Sequence, residues 1–128
     1  MKKALLLLLV PALTLSCTKT NSELVGKWRL VEILADPGDG SGVFHPVSSK
    51  KVLEFYSDGT LKSNGAICFM GVESDVPSTG TYSLADSTIL GEKCKDNPRK
   101  ITFEKKGTTL ILNFPQCFEP CRAKYRKD

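Results

Sequence analysis

One histidine, one tryptophan and two methionines occur in 128 residues, and charge of neither sign dominates, with 18 Lys+Arg against 14 Asp+Glu. The lone His45 sits in a Gly/Pro-rich stretch and leaves no Ser/His or Cys/His pairing to build on. No HExxH, Walker loop or nucleophile elbow occurs either. The expectation is a protein that is not an enzyme, with no catalytic residues, no cofactor and no metal site. Removing the first 16 residues, which carry two lysines and no acid, leaves 16 basic against 14 acidic residues. That balance argues against nucleic acid as a partner, since such binders carry a clustered basic stripe. Also missing is any apolar run of the ~20 residues needed to span a bilayer. From Leu24 onward no stretch repeats apolar residues at helical spacing over three turns, which excludes an α fold.

What is present begins with Met1-Lys2-Lys3 and an apolar stretch from Ala4 through Leu15, a positive n-region and a short h-region that read as a signal peptide over residues 1–16. Leu13-Thr14-Leu15-Ser16-Cys17 resembles the lipobox of bacterial lipoproteins, with Thr14 where an aliphatic residue is usual. The resemblance implies lipidation of Cys17 and cleavage behind Ser16. Two acyl chains on one residue make a stable anchor where one would be marginal. Residues 17–23 then form a polar tether, and the membrane is a partner through the lipid. Thr18 is not the acid that usually signals inner-membrane retention, so the expected location is the bacterial cell envelope, at the outer membrane.

Over residues 24–128, short alternating runs bounded by turn residues recur every 10 to 14 positions. Eight strands are expected: Lys27–Leu34, Lys51–Tyr56, Thr60–Asn64, Gly80–Leu84, Ser87–Gly91, Lys100–Lys105, Thr108–Phe114 and Cys121–Lys127. Pairs such as Leu53/Phe55, Ile101/Phe103 and Ala123/Tyr125 stand two apart and share one face of their strand. Connections alternate in length. Ser57-Asp58-Gly59, Ala85-Asp86 and Lys106-Gly107 are tight turns, whereas Ala35–Lys50, Gly65–Thr79, Glu92–Arg99 and Pro115–Pro120 are long. In an up-and-down meander this puts every tight turn at one end and every long loop at the other. Closure into a barrel removes the unpaired edges.

Gly26-Lys27-Trp28 at the start of the first strand resembles the Gly-X-Trp signature of the lipocalins and related calycins. The chain also looks like the small lipocalin-like lipoproteins common in Bacteroidetes. The resemblance implies an all-β, eight-stranded antiparallel up-and-down barrel with long loops at one end. It further implies a floor closed by Trp28, with an Arg of the last strand, Arg122 or Arg126, packed across it.

Such a barrel either fills with its own side chains or holds one small ligand. An apolar cup lined by Phe55, Tyr82 and Phe103, with Phe69 and Phe118 from the loops, would bind a small hydrophobic ligand. A filled barrel would instead serve as a protein-interaction or hydrolase-inhibitor module, with an envelope protein as partner. Cys68, Cys94, Cys117 and Cys121 all fall in or beside long connections, and an even count in an exported chain reads as two disulfides. Three pairings are open, of which Cys68–Cys94 with Cys117–Cys121 is favoured; a four-thiolate zinc site is the other reading, lacking any C-x-x-C spacing. The segment Ala35-Asp36-Pro37-Gly38-Asp39-Gly40-Ser41-Gly42 superficially suggests a calcium loop. However, Gly38 and Gly40 stand where ligands would be needed, so Asp36 and Asp39 read as turn formers. Phe44, Ile67, Phe69, Met70 and Phe118 remain, either as a lid on the barrel mouth or as a recognition surface.

Overall fold

The period-2 pattern becomes strands throughout the computed structural model, which describes residues 23–92, 94 and 100–128. Cys17, the signal segment, the tether up to residue 22 and the loop cations Lys93, Lys95 and Arg99 lie outside the described residues. The strands are β1 (Gly26–Ala35), β2 (His45–Pro46), β3 (Val52–Phe55), β4 (Thr60–Ser63), β5 (Ser78–Ser83), β6 (Thr88–Gly91), β7 (Ile101–Lys106), β8 (Thr109–Asn113) and β9 (Cys121–Lys127). All pairings are antiparallel and follow chain order from β3 to β9, while β1 pairs with both β3 and β9. The eight strands other than β2 thus close an up-and-down barrel. The two-residue β2 lies outside the ring, paired with Glu32 and Ile33 of β1.

Trp28 is fully buried, and its indole Nε1 donates to Leu24 O at 2.8 Å, which folds the incoming chain under the barrel as a floor. The cation over the indole ring is Lys127, at 5.4 Å from the ring centroid; Arg126 is exposed on the outer wall and Arg122 is also on that wall. The reason is parity: Tyr125 points inward, so Lys127, two residues on, follows it to the floor and Arg126 cannot. Lys127 Nζ also donates to Glu23 O at 2.9 Å.

The inward-parity side chains Leu53, Phe55, Ile101, Phe103, Ala123 and Tyr125 are buried; Tyr82 and Leu84 are partly buried at the core's edge. A bulge between Leu30 and Glu32 changes the face of β1 midway. Before it Trp28 and Leu30 point in; after it Ile33 stands opposite Ala123 and packs on the core, while Glu32 and Leu34 face the outer side, where Leu34 is buried outside the barrel's own core cluster. The tight turns sit at the floor end. Gly59 and Gly107 take positive φ there (86° and 58°), and the turn between β5 and β6 instead uses Ser87, at φ 54°, rather than the expected Ala85-Asp86 alone. The long loops occupy the opposite end.

Candidate functional site

Four segments make the loop-rich end, and disulfides constrain three of them. Cys68 pairs with Cys94, linking the loop after β4 to the loop after β6, and Cys117 pairs with Cys121, closing the approach to β9. With all four sulfurs in disulfides, none remains as a thiolate for zinc. The first bridge needs room against the end of β6. A Cβ on Gly91 would stand 2.6 Å from Cys94 Sγ and 3.1 Å from Cys68 Sγ. Gly91→Ala is therefore expected to cost ~1–3 kcal/mol by overpacking. In a Cys68→Ala/Cys94→Ala background the same substitution should cost clearly less, and equal costs by denaturant melts in both backgrounds would refute the contact.

Lys51, immediately before β3, is 1% exposed. Its Nζ donates to Gly71 O at 3.0 Å and Phe69 O at 3.4 Å, so a buried ammonium clasps the loop after β4 to the barrel mouth. Burial pulls its pKa down to about 8, with Glu73 opposing. The same loop is held by Ser49 Oγ donating to Val72 O at 2.6 Å, by Ser78 Oγ donating to Gly65 O at 2.6 Å, and by Gln116 Nε2 donating to Cys68 O. Sequence reasoning missed Lys51, because a lysine at a strand start reads as a solvated charge; only its inward parity with Leu53 and Phe55 hinted otherwise.

The loop after β1 is organised by its acids. Asp36 accepts hydrogen bonds from Gly38, Gly40 and Gly42 N, and Asp39 from Ser41 N, so these carboxylates form turns. The backbone donors hold the Asp36 carboxyl below its ordinary pKa. Asp36 N also donates to Pro120 O at 3.1 Å, joining this loop to the Cys117–Cys121 segment. Phe44 lies 4.1 Å beneath Lys124 Nζ, which is paired with Glu32, so this ring covers the outer wall of β1 and β9.

The sequence-predicted ligand residues separate. Phe55 and Phe103 are 1% and 6% exposed, and Tyr82 meets Phe55 edge-on at 5.2 Å. Phe55 and Phe103 belong to the packed interior, with Tyr82 at its edge, and do not line a cup open to water. Ile67 and Met70 also pack on the core, as a lid would. Phe69 and Phe118 do not: they are 58% and 106% exposed. Val43 and Val76, in neighbouring long loops, are likewise exposed, and Leu90 is exposed at the end of β6. Every exposed large hydrophobic among the described residues thus lies at or beside the loop-rich end. Beside Phe118 a cleft of about 340 Å³ runs between the Cys117–Cys121 loop and the wall formed by Glu104, Asn113 and Arg122.

His45 is exposed, and no cluster of three His, Cys, Asp or Glu able to hold a metal ion is present among the described residues. No family model, no curated protein and no solved structure matches the chain.

Proposed function

We propose that this chain is a non-enzymatic, envelope-anchored lipoprotein whose lipocalin-like barrel presents its loop-rich end to a partner protein. Phe118 carries this reading. A fully exposed phenylalanine on a loop closed by a disulfide, and hydrogen-bonded to the neighbouring loop, is an apolar anchor held in water by a rigid frame. Such anchors, ordered before contact, lose little entropy on binding, and buried aromatics dominate interface energies. Burial of Phe55 and Phe103 favours a protein partner over a small ligand inside the barrel. Non-enzymatic action is supported by the isolation of His45 and by the burial of Lys51.

A photo-crosslinking amino acid placed at Phe118 in the native host should yield one adduct of defined mass, whereas the same group at Gly107, on the opposite end, should yield none. Equal labelling at both positions would sink the proposal. In parallel, Phe69→Ser/Phe118→Ser should leave the melting temperature within a few degrees of the parent while abolishing the adduct formed from a second site in the cleft, at Glu119. A large drop in melting temperature would place these rings in the core instead.

A further inference from the structure

The outer wall of β7, β8, β9 and β1 carries side chains in cross-strand rows. Next above the floor, Lys106 stands opposite Thr109, Thr109 opposite Arg126, and Arg126 opposite Arg29. One row higher come Glu104, Ile111, Lys124 and Glu32, where signs alternate and Lys124 pairs with Glu32. The lower row has no such balance. Like charges directly opposite on a sheet face are destabilising, yet Arg126 faces Arg29. Arg29 is paired with Asp128 at 3.0 Å; Arg126 and Lys106 are exposed and form no ion pair among the described residues. On the β1 side, Arg29 and Lys27 line a cleft of about 530 Å³ with Lys62, where Glu54 and Asp128 supply two carboxylates. Within the lower row itself, the cations without an ion pair among the described residues are Lys106 and Arg126.

We propose that this row is a docking surface for the anionic lipid headgroups of the leaflet in which the chain is anchored. The inference rests on the anchoring reading above. Its position supports that occupant. The chain reaches the floor at Glu23 and Leu24, where Glu23 is held by Lys105 and Lys127 from the strands that carry the row. Cys17 is six residues upstream, a reach of about 20 Å when extended. Whatever Cys17 is anchored to, the row stays within a tether length of it. Lys106 and Arg126 are two strands apart, roughly 10 Å. One phosphate cannot meet both, but an array of headgroups can.

Among the described residues every strand and the buried core lie within residues 24–127, so the chain starting at Thr18 is expected to fold without its lipid. At low salt it should sediment with vesicles containing about 30 mol% phosphatidylglycerol in phosphatidylcholine, and not with pure phosphatidylcholine vesicles. Each cation near an anionic surface strengthens binding roughly fivefold, so Lys106→Gln/Arg126→Gln should bind about 25-fold more weakly. Lys50→Gln/Lys100→Gln, with the same charge change at the other end, should bind as the parent does. Equal weakening in both variants, no preference for anionic vesicles, or full competition by inorganic phosphate at the same ionic strength would each overturn the proposal. Anchoring is read separately, by metabolic labelling with a palmitate analogue. Loss of label in full-length Cys17→Ser is expected; equal label would remove the anchor and with it the leaflet as occupant, even where vesicles bind.

Discussion

Trp28→Ala is expected to lose about 3–5 kcal/mol, the cost of removing a large buried aromatic and leaving a void. Three things go at once. The indole fills the barrel floor against Leu53, its directly opposite neighbour on β3. Its Nε1 is the donor to Leu24 O, which would be left without that partner, and Lys127 loses the ring beneath it. Domains of this kind have about 5–15 kcal/mol in total, so the variant should be partly unfolded at ambient temperature or melt far below the parent. Trp28→Phe separates the contributions, because it keeps an aromatic ring but not the donor, and should fall between the two. Urea unfolding of the chain from Thr18 measures both. A Trp28→Ala midpoint indistinguishable from the parent would show that the floor is closed by something other than this side chain.

Lys51 gives the second large effect, and its sign is unusual. Burial lowers its pKa from 10.5 to about 8, with the Glu73 charge pulling the other way. Below pH ~8 the ammonium is protonated in folded and unfolded chains alike, and the full cost of burying it weighs on the fold. Between about 8 and 10.5 the unfolded chain keeps the proton that the folded chain has released, so stability rises with pH. A displacement of this size corresponds to about 3 kcal/mol, most of it gained by pH ~10. Above pH 10 the buried Tyr125 acts in reverse. Burial pushes its phenol well above the ordinary value, so the unfolded chain ionises first and stability falls. The parent should therefore be most stable near pH 10. Lys51→Met keeps the shape without the charge, and the difference between the two proteins' urea stabilities at pH 7, 8, 9 and 10 isolates the lysine. Parallel curves would show that Lys51 is not buried as a cation.

Some of this molecule was legible in its sequence because the relevant interactions are local. Alternation such as Leu110, Leu112 and Phe114, together with turn glycines at 59 and 107, defines strands and hairpins without reference to anything distant. Alternating short and long connections in a meander then place the four cysteines at one end, and the favoured pairing is the one formed. Eight strands with one polar face required closure, and the ring is closed through β1 and β9. The acids of the first long loop, Asp36 and Asp39, are turn formers for equally local reasons: their carboxylates bond to backbone within six residues.

Other features were decided only when distant segments met. Strict alternation from Trp28 places Leu34 inside, but the bulge after Leu30 reverses the face and puts Ile33 there, since β1 must match β9 on one edge and both β3 and β2 on the other. Lys51 was sealed by carbonyls about 20 residues away, and no local pattern marks a lysine for burial. The residue across Trp28 is Lys127 and not Arg126, because the inward parity of β9 is set by Tyr125. Of the loop apolar residues, Ile67 found space over the core beside the Cys68–Cys94 bridge, while Phe69 and Phe118 stayed in water. Composition makes all three hydrophobic. Which of them the barrel mouth accepts depends on its width, on the bridge that crosses it and on the loop Lys51 holds down, and those are properties of the closed structure alone.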